Sequence, residues 1–101
     1  MPRKKRPAPP RKWDRSWHEE RAASMAASAK RDLVFTKNCD TSAVYALVRA
    51  NRDIAHARTH LVAIGPGRES ARTRKLWAIV SKSERMVEQA TNHVAKCLLK
   101  R

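Results

Sequence analysis

One face of the last third of the chain carries seven side chains suited to binding anions. They are Lys75, Lys82, Arg85, Gln89, His93, Lys96 and Lys100. Separations of three, four or seven residues return each of them to the same side of an α-helix, so they form one line, which we call the basic ridge. Glu84 and Glu88 fall on a different face. A straight positive ridge suits a row of phosphates, because lysine and arginine on helix faces supply backbone contacts.

A second basic stripe lies in the middle of the chain and consists of Arg49, Arg52, His56 and His60. We expect it to join the basic ridge in one positive surface. His56 and His60 also have the i, i+4 spacing of two metal ligands on a helix. A structural metal site needs further ligands and supporting hydrogen bonds, so the sequence predicts no metal and no cofactor.

Residues 1–12, MPRKKRPAPPRK, combine prolines with six basic side chains and no acid. The basic residues are Arg3, Lys4, Lys5, Arg6, Arg11 and Lys12. This composition predicts a disordered tail, followed by one small domain over residues 13–101. The tail suits either a nuclear-localisation signal or an arm that lies on phosphates, and the sequence favours neither.

The composition as a whole indicates a polyanionic partner. The net charge is +14 and the isoelectric point is near 11.1, so nucleic acid is the first expectation and an acidic membrane surface the second. No apolar run is long enough to span a membrane, and the N-terminus lacks the apolar stretch of a secretory signal. We therefore expect an intracellular protein, nuclear or cytoplasmic, and interpret Cys39 and Cys97 as thiols in a reducing compartment.

The periodicity predicts an all-α fold. A first helix is expected from Ser16 to Leu33, opened by a Ser16–Glu19 capping box. Residues 34–40 form a connector. Two longer helices, at about 42–64 and 69–100, are predicted to make a helical hairpin around the turn at residues 65–67, GPG, because glycine and proline end helices.

The longer helices carry apolar stripes that one hairpin cannot cover. The stripe of the second helix contains Val44, Leu47, Val48, Ile54, Ala55, Leu61 and Val62. Either the first helix folds across the hairpin, or two chains pair into a four-helix bundle, and the length of the third helix favours the homodimer. Asn51 and Arg58 interrupt the stripe. They either fix the register of an interface, or Arg58 pairs with Glu84 or Glu88 or lies at the open end of an interface.

These patterns predict a non-enzymatic protein that binds the backbone of a duplex, with double-stranded RNA slightly preferred over DNA. In shape and charge the chain resembles the long-helix viral suppressors of RNA silencing, without a motif that matches residue by residue. A ribonucleoprotein component fits equally well. The alternative is a helical interaction module whose basic face meets an acidic protein or a membrane surface. No catalytic motif or small-molecule site is expected. Trp13 and Trp17 are assigned to packing, whereas Trp77 suits packing and base stacking equally.

Overall fold

The computed structural model describes residues 14–100, and the regular structure within this range is entirely helical. Helix α1 spans Arg15–Leu33, α2 spans Thr41–Ile64 and α3 spans Ala71–Leu99, with a short 3₁₀ turn at Val34–Lys37. The all-α prediction is confirmed, and the predicted bounds of the three helices are correct to within two residues. The basic tail, Trp13 and Arg101 lie outside the described residues.

The helices pack side by side, and α1 contacts both of the longer helices. His18 and Asp32 near the two ends of α1 meet His60 and Arg49 of α2 in reverse order, so these two helices are antiparallel. Glu19 at the start of α1 meets Thr73 at the start of α3, which makes those helices parallel. The first helix therefore folds across the other two, which was one of the two arrangements considered.

The contact between α1 and α2 is built from small side chains. The buried alanines are Ala22, Ala26 and Ala29 on α1, and Ala43, Ala46, Ala50 and Ala57 on α2. Because alanine carries only a methyl group, the two backbones can approach closely and pack over a long contact. Larger side chains, Leu61 and Val80 among them, fill the space towards α3.

This arrangement corrects the predicted apolar face of α2. Val44, Val48 and Val62 were expected in the core but are 40%, 61% and 61% exposed. The buried face is rotated towards the alanines because α1 covers that side of the helix. Asn51 is consequently exposed rather than buried. Arg58 is exposed as well, and it donates to Glu84 of α3 at 3.3 Å, which confirms the pairing alternative.

Local signals explain where the longer helices start and where α2 ends. Asp40 caps α2 by accepting from the backbone amides of Ser42 and Ala43. Ser70 caps α3 in a reciprocal capping box with Thr73. Gly65 and Gly67 adopt positive φ values of 80° and 84° beyond the end of α2, a conformation that other residues rarely adopt.

The predicted capping box of α1 is wrong, because the carboxylate of Glu19 serves another helix. Glu19 is 4% exposed and accepts hydrogen bonds from the hydroxyls of Ser70 at 2.6 Å and Thr73 at 2.7 Å. Burial raises the pKa of Glu19, but these hydrogen bonds and the charges of Arg15 and Arg72 outweigh it, so the pKa lies below its ordinary value of 4.5. This carboxylate therefore fixes the start of α1 against the start of α3.

The two cysteines also differ from expectation. Cys39, just before α2, and Cys97, near the end of α3, form a disulfide with Cα atoms 5.8 Å apart. The two residues are 58 positions apart, so their spacing in the sequence does not indicate that they are close. They meet because α3 runs back alongside α2 and its end lies at the start of that helix. A disulfide is more typical of oxidising surroundings, so the interpretation as free thiols is corrected.

Replacing Glu19 by Gln should destabilise the fold by about 1–3 kcal/mol at pH 7, because a charged acceptor of two hydroxyl groups is lost. The pKa of Glu19 is lowered by folding, so its contribution is present above about pH 4.5 and is lost as the pH falls through the lower folded value. Urea unfolding should show the difference between variant and wild type shrinking in acid. Glu20→Gln, at the exposed neighbouring position, is the matched control and should change little.

Removing the disulfide by the double substitution Cys39→Ser and Cys97→Ser should lower the free energy of unfolding by about 2–4 kcal/mol, since the bond closes a long loop. A thiol reductant should lower the melting temperature of the wild type and leave the double variant unchanged. Two results together would contradict the pairing. Both cysteines of the wild type would react as free thiols, and a reductant would leave its melting temperature unchanged.

Candidate nucleic-acid interface

The structure places six of the seven residues of the basic ridge on the exposed surface of α3, and Lys100 is exposed at the C-cap of this helix. From Lys75 to Lys100 the ridge extends for about 38 Å, at about 1.5 Å per residue. Within residues 14–100, neither the lysines of the ridge nor Arg85 form an ion pair. Glu84 points instead towards α2, where it pairs with Arg58. The ridge is therefore a run of positive charge that the described part of the chain does not neutralise.

Unlike the lysines and Arg85 of the ridge, the two arginines of the second basic stripe are paired with carboxylates. Arg49 pairs with Asp32 of α1 at 3.4 Å, and Arg52 pairs with the buried Asp53 at 3.7 Å. Both guanidinium groups are still partly exposed, but each already has a carboxylate within reach. They consequently attract a phosphate less strongly than an uncompensated side chain does.

The two histidines of this stripe differ from each other in burial. His56 is exposed, whereas His60 is half-buried and lies against α1. Its Nδ1 is 3.0 Å from Nδ1 of His18, and the Trp17 ring stands edge-on to both imidazoles, with centroid distances of 5.0 and 5.1 Å. One imidazole must donate and the other accept, so this contact requires at least one neutral histidine. His60 is thus a packing residue as well as a candidate ligand.

The two basic surfaces do not merge into one. The second stripe borders the side of α1 that carries His18 and Asp32. The basic ridge borders the opposite side of α1, where Lys82 shares a cavity with Lys30. Because α1 lies between them, the structure separates the stripe from the ridge.

The tertiary structure adds two basic residues that sequence analysis did not include. Lys30 of α1 lines a cavity beside Lys82, and Lys37 of the 3₁₀ turn lines one beside Gln89 and His93. Their approach to the ridge follows from the packing of α1 on α3, which no spacing along the chain reveals.

The remaining candidates are the tryptophans and the potential metal ligands. Trp17 and Trp77 are both half-buried, and Trp77 packs against the core, so packing accounts for these two tryptophans. Between residues 14 and 100, no cluster of three or more His, Cys, Asp or Glu side chains has an arrangement that could hold a metal ion. None of the described helices is sufficiently long and apolar to cross a bilayer.

Comparison with known proteins gives no match: no family model fits the chain, and no curated protein or solved structure is significantly similar to it.

Acidification should weaken the fold through the contact between His60 and His18. Burial lowers the pKa of His60 below its ordinary value of 6.5, and the neighbouring His18, Arg21 and His56 lower it further. A lowered histidine pKa contributes stability above about pH 6.5 that is lost as the pH falls through the folded value. Urea unfolding at pH 7.5 and 5.5 should show this loss, and His60→Gln should reduce it. His93→Gln, at an exposed histidine, should leave it unchanged.

Proposed function

We propose that this protein is a non-enzymatic nucleic-acid-binding protein that contacts the phosphate backbone of a duplex through the basic ridge of α3. The observation that carries the proposal is the uncompensated charge of five lysine and arginine side chains along about 38 Å of one helix. Surfaces without a polyanionic ligand usually intersperse both signs of charge. A ridge of one sign is costly through self-repulsion unless an anion covers it.

The form of the ridge supports a duplex tracked along its length. A short recognition helix enters one major groove with a few residues, whereas this ridge extends over most of α3. Lys and Arg contact phosphates without reading sequence, and double-stranded RNA is recognised mainly by backbone and shape. We therefore prefer double-stranded RNA slightly over DNA, in a ribonucleoprotein particle or in the shielding of RNA from silencing. In this proposal Gln89 and Asn92 are the side chains that would contact a base or a 2′-hydroxyl.

The other predicted contacts have secondary roles in the proposal. Arg49, Arg52 and His56 offer a weaker second surface, because α1 separates them from the ridge and two of them are already paired. The basic tail at residues 1–12 supplies six further charges as an arm on the same nucleic acid. The proposed protein is a homodimer. A second copy would pack on the exposed valines of α2. Static light scattering measures whether one chain or two are present.

Binding to duplex RNA should depend steeply on salt and on the ridge. Five phosphate contacts predict a loss of affinity of roughly 500-fold between 50 and 200 mM salt, from a slope of about −0.9 per contact. Lys82→Gln with Arg85→Gln should weaken binding about 10- to 100-fold and reduce the slope by about two. Fluorescence anisotropy over a salt series, with duplex RNA, duplex DNA and single strands, measures both quantities.

A control with the same change in net charge separates the ridge from general electrostatics. Ala55→Glu with Thr59→Glu also lowers the net charge by two, because it adds two acids on an exposed part of α2. This control should retain most of the affinity and the full salt slope. Equal losses in the two variants, or full binding by the ridge variant, would reject the ridge as the interface. A variant that lacks residues 1–12 then tests whether the tail binds instead.

A further inference from the structure

An open groove runs between α1 and α3, beside the basic ridge. It consists of three adjoining cavities of about 190, 330 and 350 Å³. The first two share Ile79, and the second and third share Met86, so they form one continuous channel. It follows α3 from Leu76 to His93, a length of about 26 Å.

The floor of the groove is apolar and partly open to solvent. Both Ile79, which is 49% exposed, and Met86, which is 37% exposed, project from α3. Leu33 and Ala90 continue the apolar surface towards the third cavity. Large apolar side chains exposed next to one another in a concave surface are typical of a binding site for another protein.

The rim of the groove is basic on both sides. Lys30 and Lys37 lie on the side of α1, and Lys82 and His93 lie on the side of α3. None of the described residues that line the three cavities is acidic. An occupant therefore needs an apolar stripe for the floor and negative charge along both flanks.

We propose that this groove is the docking site for an acidic amphipathic helix of a partner protein. A helix of about 17 residues has the length of the groove, and its apolar stripe would cover Ile79 and Met86. Glutamate or aspartate side chains on its flanks would meet Lys30 and Lys37 on one side and Lys82 on the other. Charge complementarity of this kind orients the partner and excludes basic competitors.

The same charges argue against other occupants. The tail at residues 1–12 has no acid and only Met1 and Ala8 as non-proline apolar residues, so it would be repelled by the rim. A second copy of the chain would offer the valine strip of α2, but the one acid of that helix, Asp53, is buried and paired with Arg52. A nucleic acid satisfies the rim but leaves the apolar floor uncovered.

The groove and the basic ridge share Lys82, Gln89 and His93. A helix bound in the groove would neutralise this part of the ridge, so the partner and a duplex would compete. This consequence rests on the proposed function, whereas the docking site itself does not.

The test uses a fluorescent designed peptide of about 18 residues with a leucine stripe flanked by glutamates, measured by anisotropy. It should bind, and Ile79→Gln with Met86→Gln should weaken its binding about 10-fold or more, because the apolar floor is lost. Both positions are partly exposed, so the fold should persist. Tyr45→Gln with Leu99→Gln, at two exposed positions that do not line the groove, is the matched control and should bind the peptide normally.

Three outcomes would overturn the proposal. One is the absence of peptide binding at low salt. Another is equal binding of a peptide with the same composition but without an apolar stripe, which would show attraction by charge alone. The third is tighter binding to anionic vesicles than to the peptide, if the Ile79 and Met86 substitutions also abolish the binding to vesicles. Duplex RNA binding by this groove variant should stay unchanged, so a failure of the docking site and a failure of the ridge give different patterns.

Discussion

Close packing of the alanine faces of α1 and α2 is the contact on which the rest of the structure depends. Because these methyl groups let the helices approach closely, α1 lies along α2 and contacts α3 as well. This position of α1 determines which residues of α2 are buried, which basic surfaces stay apart and where the open groove forms. The valines of α2 are exposed for the same reason.

Two polar connections and one covalent bond hold this arrangement at its ends. Glu19 ties the start of α1 to the capping residues of α3, and His18 meets His60 where α1 runs beside the end of α2. At the opposite end, Cys39 and Cys97 join the start of α2 to the end of α3. The buried carboxylate and the imidazole pair both depend on protonation, in different pH ranges. Acid therefore acts on the helix contacts, whereas a reductant acts on the opposite end of the bundle.

The electrostatics of the surface follow a simple division. Arg49 and Arg58 of α2 each pair with a carboxylate of a neighbouring helix, Asp32 and Glu84. The basic ridge lies on the side of α3 away from Glu84 and Glu88, so its charge is not neutralised within residues 14–100. The groove adds an apolar surface next to this charge, which a duplex does not need. Charge and apolar area together favour two kinds of ligand on overlapping residues.

The sequence by itself determined the helices, because apolar periodicity, capping residues and the turn at residues 65–67 are local signals. It also determined the ridge, since residues on one face of one helix need no other element to align them. Only the tertiary structure decided the rotation of α2, the pairing of Cys39 with Cys97 and the role of Glu19. It also brought Lys30 and Lys37 to the ridge. These features depend on which helix faces meet, and that is set by contacts between residues far apart in the chain.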